Sequence, residues 1–236
     1  MKVKENLLNI LFPKNFTCVL CGEEIFDNSY LCDNCKSNLP KIDGDICLKC
    51  GEPIKSQAKY CNRCQNKSFV IDKIRCAFVY EDKIALALKN LKFNNHRYLV
   101  KPLALFLKET YIKENFDVDI ITYVPMHEKK LKERGFNHAE LLAKELGKML
   151  NIEVSDSLIK TKETKLQVDL DYKHRQENLV GAFNVINKND FKNKKVLIID
   201  DIFTTGATLN CCAESINKAK PNKIYALCVA HTMYEL

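Results

Sequence analysis

The 236-residue chain has no tryptophan, only seven glycines, six prolines and five histidines. None of the glycines falls in a Gly-x-Gly-x-x-Gly turn or a Gly-x-x-x-x-Gly-Lys loop. Both turns need glycine so that backbone amides can close on phosphate, which argues against a dinucleotide-binding enzyme and a P-loop NTPase. No apolar run approaches the roughly 20 residues of a membrane-spanning helix. Leu7, Leu8, Ile10, Leu11 and Phe12 form a stretch too short and interrupted for a signal sequence or anchor. A cytoplasmic protein with no transmembrane segment is expected. His127, His138 and His174 have no legible partner, and loop histidines of this kind are more often solvent-facing or structural than catalytic.

What the chain does have is cysteine, twelve in all. Eight form four Cys-x-x-Cys pairs: Cys18/Cys21, Cys32/Cys35, Cys47/Cys50 and Cys61/Cys64. In each half of this segment ten residues separate the two pairs, and the first pair is followed by glycine, Gly22 or Gly51, so the segment is an internal repeat. A Cys-x-x-Cys-Gly turn aims two thiolates at one point, and two such turns complete a tetrahedral sulfur site for Zn²⁺. Eight ligands make two four-cysteine sites. In a reducing compartment paired cysteines read as metal ligands rather than disulfides, with an iron–sulfur cluster as the remote rival. A sequential scheme and an interleaved cross-brace both satisfy the spacing. Cys76, Cys211, Cys212 and Cys228 stand in apolar stretches and read as small core residues.

The formal charge is +7, made of +2 over residues 1–70 and +5 over 71–236. Two zinc–tetrathiolate sites would reduce it to about +3, which weakens any global argument for nucleic acid. Local clusters matter more: Lys129, Lys130, Lys132 and Arg134, and a second group at Lys188, Lys192, Lys194 and Lys195 that reads as solvated loop. The length suits one α/β core plus a small module that metal must help to fold, with a boundary expected near residue 70.

The segment that names a ligand is Val196-Leu-Ile-Ile-Asp-Asp-Ile-Phe-Thr-Thr-Gly-Ala-Thr208. Its apolar run reads as a buried parallel strand, and Asp200 and Asp201 end it at the edge where open α/β sheets bind ligands. Thr204, Thr205, Gly206, Ala207 and Thr208 then make a tight turn whose free N–H groups face the start of a helix, a place that holds phosphate. Glycine there would let the chain approach the phosphate closely. Paired carboxylates beside a phosphate nest repel a bare polyanion and suit a sugar phosphate, accepting hydrogen bonds from vicinal ribose hydroxyls with Mg²⁺ offsetting the charge. This stretch resembles the phosphoribosyl pyrophosphate (PRPP) motif of type I phosphoribosyltransferases. The resemblance implies an open, mainly parallel sheet with helices on both faces, two carboxylates on the ribose hydroxyls, and the Thr-Thr-Gly-x-Thr loop on the 5′-phosphate.

Upstream, residues 71–80 read as a strand, Asp82 as the cap of a helix through Leu91, and residues 99–111 as a further helix. Val118 to Val124 reads as a strand stopped by Pro125. Asn137 and Glu140 resemble a capping box before the apolar stripe Ala139, Leu142, Ala143, Leu146, Met149 and Leu150. The first basic cluster thus lies in a loop at the ligand edge, and in a PRPP site that loop would face the pyrophosphate. Residues 161–181, polar and aperiodic, could form a lid over it. Tyr80, Phe93, Tyr98 and Phe136 sit near polar or basic stretches where they could stack bases, although burial is the better expectation for each.

The ordered set narrows the kinship. A cysteine-rich N-terminal module is followed by Val-Pro-Met-His-x₆-Arg-Gly-Phe-Asn-His-Ala-Glu-Leu-Leu-Ala, by Thr-Lys-x-Gln-x₇-Arg-x-x-Asn-x-x-Gly-Ala-Phe, and by the PRPP motif. The set resembles the ComF family of bacterial competence proteins over nearly the whole chain, with His138 standing where glutamine is expected. The resemblance implies a role in natural transformation, handling incoming single-stranded DNA on the cytoplasmic side beside the translocation machinery at the inner membrane. On this reading Lys129, Lys130, Lys132, Arg134 and Arg175 contact pyrophosphate or DNA backbone.

Three readings remain: a DNA-handling factor that binds PRPP or a nucleic-acid 5′-phosphoribose, a working phosphoribosyltransferase acting on a base or amine, and a zinc-dependent interaction module on an inert PRPP fold. The last fits least well, because the acidic pair and turn are intact. Elemental analysis is expected to give about two zinc ions per chain by the eight-ligand count. One or none would undo the repeat argument.

Overall fold

A computed structural model describes residues 17–26, 29–42, 44–54, 58–66, 69–163, 179 and 181–233. Four strands form one parallel sheet: β1 (Lys73–Val79), β2 (Ile120–Tyr123), β5 (Lys195–Phe203) and β6 (Lys223–His231), in the order β1-β6-β5-β2. Strands β3 (Leu158–Lys160) and β4 (Phe183–Val185) pair antiparallel beside it. The helices are α1 (Asp33–Ser37) and α2 (Asn62–Asn66) in the cysteine-rich part, then α3 (Asp82–Phe93), α4 (Val100–Lys113), α5 (Glu128–Arg134), α6 (His138–Leu150) and α7 (Ala207–Asn217).

The uninterrupted apolar run of β5 follows from burial on both faces, with alternate side chains going to opposite layers. Val196 and Ile198 join Cys211, Cys212 and Ile216 of α7, whereas Leu197 and Ile199 join Leu88, Leu107, Leu142 and Leu146 of α3, α4 and α6. Cys76, Cys211, Cys212 and Cys228 are all buried, as small core residues should be.

Both edges of the sheet are closed by irregular chain. Beside β1, the Ile74 N–H donates to Lys49 O (2.7 Å) and the Val79 N–H to Pro40 O (2.8 Å), so the segment joining the two cysteine repeats runs along that strand. Beside β2, the Ile121 N–H donates to Glu153 O (2.9 Å), and the Ser155 N–H to Ile121 O (2.8 Å). An exposed parallel edge would otherwise template pairing with other chains. The cysteine-rich part is therefore packed into the fold: Cys47, Cys50 and Cys61 share a core with Ile71, Ile74 and Phe203, and Cys18, Cys32 and Cys35 pack beside Phe106 of α4.

Three local expectations change. Helix α3 begins at Asp82 itself, with Glu81 in the cap position and no side-chain capping bond. Asn137 does cap α6, accepting from the Ala139 N–H, but Glu140 reaches Lys144 one turn on instead of returning to complete a box. The basic cluster is the short helix α5 instead of a loop, capped by His127 and closed by Gly135 in the left-handed conformation.

Gly206 has a packing reason of its own in addition to the expected one. It sits at φ 79°, and a Cβ there would lie 2.8 Å from ring atoms of both Phe203 and Phe69. The glycine is needed because aromatic rings cover its back and the backbone is left-handed. Gly206→Ala is expected to cost about 2 kcal/mol or more from backbone strain and ring displacement. Urea unfolding should show a lower midpoint at unchanged slope, and an unchanged midpoint would contradict this account.

Candidate functional site

At the C-terminal edge of β2 and β5 lies a cleft of about 610 Å³, lined among others by Lys92, Phe93, Lys130, Arg134, Lys160 and Asp200. Each wall has a local cause. Pro125 ends the β2 segment, and Asn137 donates from Nδ2 to Val124 O (3.0 Å), fastening the start of α6 to the strand's exit. In α5, Lys130 and Arg134 are one helical turn apart and both line the cleft. Lys129 instead pairs with Glu163 (3.0 Å) and Lys132 with Glu128 (2.5 Å), both exposed. The helical period therefore splits the cluster that sequence reading treated as a unit.

The two carboxylates differ. Asp201 is buried, with Lys92 Nζ in direct contact and His138 Nε2 3.5 Å from its Oδ1. Arg134 Nη1 is 3.3 Å from His138 Nδ1. Arginine can only donate, so this contact is a hydrogen bond in the tautomer that keeps Nδ1 free to accept and places the imidazole proton on Nε2, toward Asp201. Burial would push the Asp201 carboxyl up, but the Lys92 ammonium and His138 outweigh it and hold that carboxyl well below the usual carboxylate range. Asp200 lines the cleft, where the Lys92 charge compensates it only in part. Burial, then the neighbouring Asp201 charge, raises its pKa well above the ordinary value.

The turn after β5 is equally divided. The N–H groups of Thr204, Thr205 and Gly206 have no acceptor among the described residues, and they lead into α7. Unpaired donors at a helix N-terminus make an anion site. Thr205 Oγ1 accepts from the Ala207 N–H (3.4 Å), and the Thr204 carbonyl accepts from Arg63 (2.8 Å). Of this loop, Thr208 lines the cleft together with Asp200. Lys160 also lines the cleft, and burial and then Lys130 act to lower its pKa. Arg175 and the segment 164–178 lie outside the described residues.

The eight cysteines settle the pairing left open by spacing. Cys18, Cys21, Cys32 and Cys35 form one cluster and Cys47, Cys50, Cys61 and Cys64 the other, each with its ligand atoms within 4.8 Å of one another. Sulfur separations of 3.7 Å (Cys21–Cys32) and 3.6 Å (Cys50–Cys61) match the roughly 3.8 Å edge of a tetrahedron with Zn–S bonds of about 2.3 Å. Each cluster has a cation nearby: Lys83 Nζ is 3.1 Å from Cys35 Sγ, and Arg63 Nη2 is 3.9 Å from Cys50 Sγ.

Residues 7–65 match the double zinc ribbon domain family, and residues 131–234 match the phosphoribosyl transferase domain family. The chain is 30% identical to competence protein F of Haemophilus influenzae over 154 residues, covering 62% of this chain and 67% of the relative. This chain belongs to the competence protein F family. Another relative is the competence protein ComFC of Streptococcus pneumoniae, 29% identical with 86% of this chain and 94% of the relative covered. A DNA utilization protein of Escherichia coli is 27% identical, with 63% and 68% covered. The competence protein F family thus combines, in this chain, a zinc-binding double ribbon with a type I phosphoribosyltransferase-like fold. Among the described residues no helix is long and apolar enough to cross a membrane.

Sequence reading missed Lys92, Arg63, Lys160 and the Asp201 role of His138. Nothing local marks them, since each gains its role from a partner far along the chain. The clearest pH signature belongs to Asp200. A raised folded pKa means its contribution is full below the unfolded carboxyl value and is lost as pH rises through the folded value. Asp200→Asn is therefore expected to be stabilising relative to the parent by an amount that grows as pH climbs above about 4. Unfolding titrations from pH 4 to 8 check this, and a pH-independent difference would contradict it.

Proposed function

We propose that the protein is a competence factor that handles incoming single-stranded DNA on the cytoplasmic side, and that its β5–α7 edge binds PRPP or the 5′-phosphoribose of a nucleic acid. The observation that carries this reading is the run of amides at Thr204, Thr205 and Gly206 with no acceptor among the described residues, set in the chain between Asp200 and Thr208, which line one cleft with Lys130, Arg134 and Lys160. Amides meet the 5′-phosphate, Asp200 accepts from a ribose hydroxyl, and the cations meet pyrophosphate or the next backbone phosphate. Asp201, held by Lys92 and His138, supports this edge from beneath, and Ala207 sets the helix start that carries Thr208.

The residues suit Mg²⁺ in only one way. His138, Asp200 and Asp201 approach one another, but imidazole is a poor Mg²⁺ ligand and Lys92 already meets the Asp201 charge. Mg²⁺ would come with the pyrophosphate and meet Asp200. When bound, it would neutralise phosphate charge.

The DNA part is supported by the names of the relatives, competence protein and DNA utilization protein, and by one exposed ring, Phe93, that lines the cleft. Phe93 is 67% exposed and Tyr98 57% exposed, with Arg134 over the Phe93 ring at 5.1 Å. Exposed rings beside cations suit stacked, unpaired bases. Tyr80 is half-buried and Phe136 is buried, so neither serves. We take residues 1–70 as the zinc module and 71–236 as the phosphoribosyltransferase-like domain, with the translocation machinery at the inner membrane as partner.

Turnover of PRPP onto a base or amine is the second reading, favoured by a cleft volume within the range of small-molecule sites. Calorimetric titration with PRPP should show binding that Asp200→Asn weakens at least about tenfold, the usual loss for an unmade hydrogen bond to a charged group. In parallel, Lys130→Ala with Arg134→Ala should lower affinity for an oligodeoxynucleotide and flatten its salt dependence by about two counterions. No PRPP binding by the parent sinks the sugar-phosphate reading, and an unchanged salt slope sinks the assignment of these two cations. Pyrophosphate release on addition of an acceptor would favour turnover.

A further inference from the structure

One side chain joins the second zinc ribbon to the phosphate turn. Arg63 lies between the ligands Cys61 and Cys64 and donates from Nη1 to the Thr204 carbonyl (2.8 Å) and from Nη2 to Glu52 (3.0 Å). Glu52 follows Cys50 by two residues, and Cys50 Sγ is itself 3.9 Å from Nη2. The Arg63 and Glu52 side chains are each only 12% exposed, and the guanidinium lies 5.0 Å over the Phe203 ring. Two further contacts follow in chain order: Phe69 closes on the back of Gly206, and the Val70 N–H donates to Asn210 Oδ1 (2.9 Å) in α7.

The geometry has a directional consequence. Every described peptide bond is trans, so the Thr204 carbonyl and the Thr205 N–H point to opposite sides of one peptide plane. Arg63 holds the carbonyl toward the ribbon and thereby aims the Thr205 amide away from it, into the anion nest. The Arg63 and Glu52 side chains are in turn framed by the Cys47–Cys50 knuckle and the Cys61–Cys64 turn, which only metal closes. The first ribbon makes no equivalent contact with the turn among the described residues. Its neighbouring cation is Lys83, on α3.

We propose that Arg63 is a positioning residue through which the metal-loaded second ribbon sets the phosphate turn, so that zinc retention at Cys47, Cys50, Cys61 and Cys64 and affinity for a sugar phosphate are linked. The ligand half of this statement rests on the reading of the turn as a phosphate site. Linkage is reciprocal: whatever factor zinc contributes to ligand affinity, the ligand returns to zinc affinity at that site alone.

Two measurements on the full-length zinc protein test the linkage. Competition with a chromogenic chelator, with and without saturating PRPP, should show one of the two zinc sites gaining about tenfold in affinity while the other is unchanged, within the usual range of coupling between sites. In Arg63→Met that gain should vanish and PRPP should bind about tenfold more weakly, with Arg63→Lys recovering part of both. PRPP binding without zinc protection in the parent, or equal protection in Arg63→Met, overturns the proposal. The second measurement needs no ligand. Amide hydrogen exchange in zinc-replete Arg63→Met should be faster at residues 204–208 and unchanged in β2 and the first ribbon. Unchanged exchange at the turn overturns the proposal whether or not PRPP binds. Faster exchange in Arg63→Met, together with no PRPP binding by the parent, keeps the ribbon–turn coupling and removes only the phosphoribosyl reading.

Discussion

The ligand edge depends on the contact between Lys92 and Asp201. A strand buried on both faces ends in two consecutive carboxylates, and the inner one, Asp201, has almost no access to water. An isolated buried carboxylate neutralises itself instead of staying charged. The ammonium of Lys92, delivered by the end of α3, makes the charged form tenable, and His138 adds a second donor. That arrangement leaves Asp200 facing the cleft with a raised pKa, a group poised for a partner that brings its own hydrogen-bond donors or cation. A carboxyl perturbed by burial and a like charge at a concave edge is a candidate functional group.

The zinc ribbons are part of the same construction. A 236-residue chain with much of its length in cysteine-rich segments has limited apolar area to spend on stability. Metal sites compensate locally, but their placement serves the rest of the molecule. The connecting segment closes the free edge of β1, the first ribbon packs beside α4, and the second packs behind the turn after β5. Each four-cysteine cluster is approached by one cation, and both cations lead toward the ligand edge. Lys83 shares α3 with Lys92, and Arg63 holds Thr204. Zinc charge, basic side chains and the two carboxylates thus form one electrostatic arrangement across the sheet.

Membership in the competence protein F family and the phosphoribosyl transferase match agree with this picture from independent directions. On the proposed reading, a sugar 5′-phosphate is the feature that PRPP shares with a nucleic-acid 5′ end. Exposed Phe93, which lines the cleft, presents a π-face of the kind that a single strand stacks on and that a small free sugar phosphate does not use. The basic helix α5 contributes through one face only, which gives the cleft a directed row of charge in place of a diffuse patch.

Much was legible in the sequence because it is written in contiguous residues. The Cys-x-x-Cys-Gly repeats specify thiolate pairs whatever surrounds them, and the run from Val196 to Thr208 specifies strand, carboxylate end and turn through nearest neighbours alone. Expectations failed where the periodicity was misread or a residue answered to a distant partner. The basic cluster is a helix, so Lys129 and Lys132 leave the cleft that Lys130 and Arg134 enter. The two rings that also require glycine at 206 were not legible, since one of them lies 137 positions earlier in the chain. By itself the sequence determined the metal-binding chemistry, the fold class and the end of β5 at an acidic pair followed by a tight turn. Tertiary structure alone decided which thiol pairs share an ion, that Lys92 and His138 belong to Asp201, and that Arg63 answers to Thr204, 141 residues away. The physical reason is that spacing encodes only what a short stretch of backbone can bring together, whereas charge compensation and amide orientation at this edge come from elements that meet only after the sheet has formed.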